Sequence, residues 1–69
     1  MENKQSIRIN GYKGKWSAIS KIDLLTTFYL MENDYYGDET CYLVIDENNN
    51  FITETYDDIE TALEDFGIL

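Results

Sequence analysis

Polar and apolar residues alternate in short runs along most of the chain and change to helical spacing only near its end. Ser6-Ile7-Arg8-Ile9 alternates strictly, which predicts a short strand with Ile7 and Ile9 inward. Asn10-Gly11 predicts a turn, because both residues tolerate positive φ, and Gly14 is a second breaker. Residues 15–22 predict a second strand, with Trp16, Ala18, Ser20 and Ile22 on one face and Ser17, Ile19 and Lys21 on the other. After a weak break at Asp23-Leu24, residues 25–32 are rich in threonine and aromatic β-formers and predict a third strand. Helix is the competing reading there, since Ile22, Leu25 and Tyr29, and Leu24, Phe28 and Met31, have helical spacing.

Residues 33–39 read as a loop and 40–45 as the fourth and most apolar strand. Cys41, Leu43 and Ile45 point one way, and Tyr42 and Val44 the other. Apolar residues on both faces predict a central position in the sheet. Residues 46–50 predict a hairpin turn and 51–54 a fifth, edge strand. The helix is expected to begin between Thr55 and Asp58, with Asp57 or Thr55 as N-cap and Asp58 and Glu60 in the first turn. Ile59, Ala62, Leu63 and Phe66 occupy i, i+3, i+4 and i+7 and make one apolar face, with Glu60, Glu64 and Asp65 outward. Gly67 suits the position just past the helix, and Ile68 the hydrophobic contact that accompanies such a cap. A helix this short does not hold alone in water, so its apolar face must dock on the sheet.

The fold expected is α+β: a mostly antiparallel β-meander of about five strands with one C-terminal helix packed on one face. It spans residues 1–69 as a single small domain, with residues 1–5 frayed. The expected core is Ile7, Ile9, Trp16, Ala18, Phe28, Leu30, Cys41, Leu43, Ile45, Ile59, Leu63 and Phe66. A 69-residue chain that is 43% hydrophobic, with ten aromatic side chains, has enough apolar area to fold.

Charge changes the picture more than composition does. All five basic residues lie in residues 1–21, opposed only by Glu2, which gives +4. From Ile22 onward there are thirteen acids and no base, so the sum is 4 − 13 = −9. This balance repels nucleic acid and anionic membrane and favours a protein partner with a basic surface. One cysteine, no histidine, no long apolar segment and no signal-like N-terminus lead to the expectation of a reduced, cytoplasmic protein.

Candidate chemistry is sparse. Asp46, Asn48 and Asn50 match the first three ligand positions of an EF-hand loop, and Asp57 the twelfth. Phe51 stands where that loop needs glycine and the flanks read as strands, so a hairpin turn is the better reading and no metal or cofactor is expected. Cys41 has no histidine or visible cation to activate it and reads as a small buried hydrophobe. Fourteen acids guarantee carboxylate pairs by chance, and a domain this small has little room for a cleft between them. An enzyme is not expected. Tyr12, Lys13, Lys15 and Trp16 form a weak stacking patch that the remaining charge opposes, and Trp16 reads as a core anchor. The candidate partner-binding residues are the acids Asp34, Asp38, Glu39, Asp57, Asp58, Glu60, Glu64 and Asp65, with Tyr35 and Tyr36 as apolar anchors.

The succession Gly11-Tyr12-Lys13-Gly14-Lys15-Trp16, then Tyr36-Gly37-Asp38-Glu39, then Leu43-Val44-Ile45-Asp46-Glu47-Asn48, followed by an acidic terminal helix, resembles small domains of the large polyvalent protein-associated kind. The resemblance covers most of residues 11–66. It implies a β-sheet domain encoded by a phage or mobile element, without established enzymatic activity and without catalytic residues. The expected function is that of a small acidic protein-binding module, with an inhibitor that occupies a basic, nucleic-acid-binding groove as its sharpest form. An accessory domain whose acids serve only solubility is the alternative.

Overall fold

Alternation produces strands here only where a neighbouring strand can complete the ladder. The computed structural model describes residues 4–35 and 41–69. Its elements are β1 (Trp16–Asp23), β2 (Thr27–Asn33), β3 (Tyr42–Asp46) and α1 (Ile59–Phe66). The strands form one antiparallel sheet in the order β1-β2-β3, so the class is α+β as expected. The described strands are three, not five. Residues 6–9 contribute only the bridge Ile7–Trp16, and the segment after β3 only Ile45–Phe51 and Tyr42–Tyr56.

Each shortfall has a local cause. Ile7 and Trp16 exchange both main-chain hydrogen bonds, at 2.9 and 2.8 Å. The Asn10-Gly11 turn then diverts the chain, with Gly11 at φ 92° and the Tyr12 amide bonded to Ile9 at 3.1 Å. Beside β3, the amides of Ile52 and Thr53 both donate to the Val44 carbonyl, at 2.8 and 3.3 Å. The Val44 amide donates to the Thr53 hydroxyl at 3.0 Å rather than to a carbonyl. Two outer residues thus oppose one inner residue, as in a bulge, and the ladder is interrupted.

The β1–β2 hairpin also departs from the alternation. Asp23 pairs with Thr27, so residues 24–26 form the connecting loop and the strand starts two residues later than the sequence suggests. The Thr27 hydroxyl donates to the Asp23 carboxylate at 3.0 Å and closes it. The register slips between Ala18, opposite Met31, and Ser20, opposite Leu30. Ile19 is the extra residue, and side chains after it change face. Trp16 and Ala18 therefore join Met31, whereas Ser20 and Ile22 lie with Leu30 and Phe28. The single-face assignment of Trp16, Ala18, Ser20 and Ile22 does not hold.

Both faces of the sheet are covered. Trp16, Met31, Leu43 and Ile45 are fully buried on one, with Ile7, Ile9, Ala18, Tyr29 and Cys41 packed around them. Leu30, Val44 and Ala62 are buried on the other, joined by Phe28, Tyr42, Tyr56, Leu63 and Phe66. The N-terminal segment covers the first face and α1 the second. β3 is apolar on both sides for that reason, although β2 and not β3 occupies the centre of the sheet. The Phe28 and Phe66 rings meet at 5.0 Å. The Trp16 indole N–H has no hydrogen-bond partner among the described residues. Ile59, expected in the core, is 40% exposed, and Ala62 is the α1 residue that reaches full burial.

Asp58, not Asp57 or Thr55, is the N-cap of α1. Its Oδ1 accepts from the Thr61 amide at 2.7 Å and its Oδ2 from the Thr61 hydroxyl at 2.9 Å. Gly67 ends the helix at φ 102°, donating to the Leu63 and Glu64 carbonyls, and the Ile68 amide donates to Leu63. Among the described residues, no helix is long and apolar enough to cross a membrane.

Candidate functional site

The expected binding residues fall into two groups with different surroundings. Asp34 and Tyr35 follow β2 and face the basic turn between the N-terminal segment and β1. The Lys15 amide donates to Asp34 Oδ1 at 2.7 Å, and the Asp34 amide donates to the Lys15 carbonyl at 2.9 Å. Asn33 is buried between them, its side chain donating to the Lys13 carbonyl and accepting from the Tyr35 amide. The Lys13 ammonium lies 5.3 Å from the Tyr35 ring centroid. Asp34 is therefore a tie holding the corner together, and Tyr35 is a platform for a lysine of the same chain. Tyr36, Asp38 and Glu39 lie outside the described residues.

The second group surrounds α1. Asp58 is occupied as the N-cap. The Tyr56 hydroxyl donates to Asp65 Oδ2 at 2.9 Å, which raises the Tyr56 pKa by stabilising the neutral phenol. Asp57, Glu60 and Glu64 are exposed. Glu60 and Glu64 stand four residues apart on the outward side, so like charges are neighbours on the helix surface. No base lies in the last turn, where Glu64 and Asp65 sit at the negative end of the helix dipole. The structure thus brings together Asp57, Asp58, Glu60, Glu64 and Asp65, and leaves Asp34 and Tyr35 with the lysine turn.

Asp46 has a structural duty. It accepts from the Asn48 and Asn50 amides at 2.8 and 2.9 Å and from the Asn50 side chain at 3.1 Å. Asn49 takes the left-handed conformation at φ 68°, the role a glycine often fills in such turns. The carboxylate that would head a calcium loop is committed to closing a hairpin. Among the described residues, no group of three or more acids or cysteines is placed to hold a metal.

Two carboxyls are held below their ordinary pKa: Asp46 by the Asn50 amide and side chain, and Asp58 by the Thr61 amide and hydroxyl. A depressed folded-state pKa contributes stability above the unfolded value near 4, and that contribution is lost as pH falls through the folded value. Thermal stability is expected to be flat through neutral pH and to drop below about pH 4. Asp46→Asn combined with Asp58→Asn should flatten that acid limb. A limb unchanged in the double variant would mean that other groups set it.

Sequence reasoning passed over an open cleft at the outer edge of the sheet. Tyr12, Phe51, Ile52, Thr53, Glu54, Thr55 and Asp65 line it, around a space of about 530 Å³. Residues 51–54 are predicted as an edge strand, and there Phe51 and Ile52 are 48% and 43% exposed, with Tyr12 39% exposed. The signal in the sequence is Phe51-Ile52 set between the polar run 46–50 and the acids that follow.

The model of the large polyvalent protein-associated domain 18 family matches residues 1–66. The chain belongs to that family. The match takes in β1, β2 and β3, the corner at Asp34, the cleft and α1 through Phe66, so these features lie within the family's unit. No curated protein and no solved structure matches the chain.

Proposed function

We propose that this domain is a non-catalytic protein-binding module that presents the carboxylates of α1 to a basic surface on a partner. The observation that carries this reading is the placement of Glu60, Glu64 and Asp65. Acids needed only for solubility are equally effective where they cost nothing. Here two share one outward face and two occupy the last turn, where both arrangements oppose the helix. Two of the lysines are engaged elsewhere: Lys4 lies 5.3 Å from the ring centroid of Tyr29, and Lys13 lies over Tyr35. A finer form of the reading is an inhibitor, encoded on a phage or mobile element, that fills the nucleic-acid-binding groove of a host protein. The base-free run from Ile22 onward supports it, because such grooves are lined by lysine and arginine.

The test uses an alternating arginine–serine octapeptide as the basic probe, at low and high salt. Glu60→Lys and Glu64→Lys are each expected to slow association about three- to tenfold at low salt, with the difference shrinking as salt rises. Glu47→Lys, on the turn after β3, makes the same change in net charge outside the helix and should have a smaller effect. Equal rates for all three variants would leave the acids as solvation only.

A further inference from the structure

We infer that the cleft along residues 51–55 is a docking groove for an extended peptide segment that carries a large apolar side chain flanked by lysine or arginine. The inference rests on the basic-partner reading above and adds where the partner's chain lies and what else it must contain.

Three observations converge on this occupant. The first is apolar area held open. Phe51 and Ile52 expose nearly half of their surface and Tyr12 more than a third, all at one cleft. Tyr12 does not collapse into the space, because its ring is held edge-on to the buried Trp16 at 5.4 Å between centroids. An aromatic wall fixed in this way offers contact area at little entropic cost. The second is charge. The ionisable groups at the cleft besides Tyr12 are Glu54 and Asp65, and no lysine or arginine lines it. Asp65 is oriented by the Tyr56 hydroxyl, so one carboxylate oxygen is fixed and the other remains for a cation. Exposed apolar side chains beside two acids select a basic and apolar ligand over an acidic one.

The third observation is the backbone. Residues 51–56 flank β3, bonded to it through Ile52, Thr53 and Tyr56. Among the described residues, the main-chain groups of Phe51 and Thr55 take part in no hydrogen bond. These groups flank the bend at residues 52–53 and are available to pair with an extended chain, whose side chains would then enter the cleft. The groove is reached from both layers, with Tyr12 closing it from the N-terminal layer and Asp65 from α1.

The experiment compares three labelled octapeptides by fluorescence anisotropy and by amide shifts of the intact chain: alternating arginine–leucine, arginine–serine and glutamate–leucine. The arginine–leucine peptide is expected to bind about tenfold more tightly than the arginine–serine peptide, and to shift the amides of Tyr12, Phe51, Ile52 and Thr55. The glutamate–leucine peptide should not bind. Phe51→Ser and, separately, Ile52→Ser should abolish the preference for leucine while arginine–serine binding is kept. Both side chains are half exposed, and unchanged circular dichroism would verify that each variant is folded. Equal affinity for the two arginine peptides, or shifts confined to α1, would overturn the groove while leaving the charge-driven reading standing. Binding of neither arginine peptide would overturn both. A dimer in sedimentation that Phe51→Ser dissociates would overturn the inference by assigning the cleft to a second copy of this chain.

Discussion

Trp16→Ala is expected to abolish cooperative folding at ambient temperature. Trp16 is fully buried at the start of β1, where it is bridged to Ile7 and clustered with Met31, Leu43 and Ile45. Deleting a buried tryptophan to alanine costs about 3–5 kcal/mol, from lost transfer energy and from the cavity left behind. A small domain starts near the low end of the roughly 5–15 kcal/mol range of native stability, so little would remain. The loss would also loosen the N-terminal segment, whose Tyr12 ring meets Trp16 directly and whose Ile7 and Ile9 pack on the same cluster. Urea titration followed by circular dichroism decides the matter. A sigmoidal transition with the parent's midpoint would show that the first-face core does not depend on Trp16.

Gly14→Asn is expected to be the most damaging change at a solvent-near position, in contrast to Gly11→Asn. Both glycines have positive φ, 76° and 92°, a region asparagine tolerates better than other non-glycine residues. They differ in space. A Cβ at Gly11 meets nothing within 4 Å, whereas at Gly14 it would lie 2.5 Å from Asp34 Oδ1 and 2.9 Å from the Tyr35 Cβ. The substituted chain must give up either the Lys15–Asp34 pairing or the Asn33 bonds that close this corner. Both substitutions carry the backbone strain of a positive φ, and the clash adds about 1–3 kcal/mol at Gly14 alone. Amide shifts at Lys15 and at residues 33–35 would report the opened corner. Equal melting temperatures for the two variants would show that the corner yields freely.

These two sites also show which parts of the fold were legible in the residues. Trp16 stands out because a single large ring in a short alternating run has few places to go but inward. Leu43, Val44 and Ile45 were legible as a strand buried on both sides, and the apolar face of α1 gave its docking, although Ile59 lies too near the N-terminus to be covered. The bulge at Ile19 was not legible. Its alternation is unbroken, and the slip exists only because β2 offers Leu30 to Ser20 after offering Met31 to Ala18. The fifth strand failed for a similar reason, since the Thr53 hydroxyl takes a ladder position that pattern alone assigns to a carbonyl.

The candidate surface divides along the same line. That all acids but Glu2 lie after residue 22 and the bases before it is legible in the residues alone, and the contiguous acids of α1 follow from helical spacing. The separation of Asp34 from those acids was decided by the tertiary structure, because its carboxylate meets the Lys15 amide nineteen positions earlier in the chain. The cleft is tertiary as well: Tyr12, Phe51 and Asp65 are far apart in sequence and meet only when the sheet is covered on both faces. By itself, the sequence determined the α+β class, the family, the helix and the burial of Trp16, Leu30, Leu43 and Ile45, because these depend on local periodicity and on apolar area. Register, the number of strands, and the duty of each carboxylate were decided by long-range pairing, in which one hydroxyl or one extra residue outweighs a local pattern.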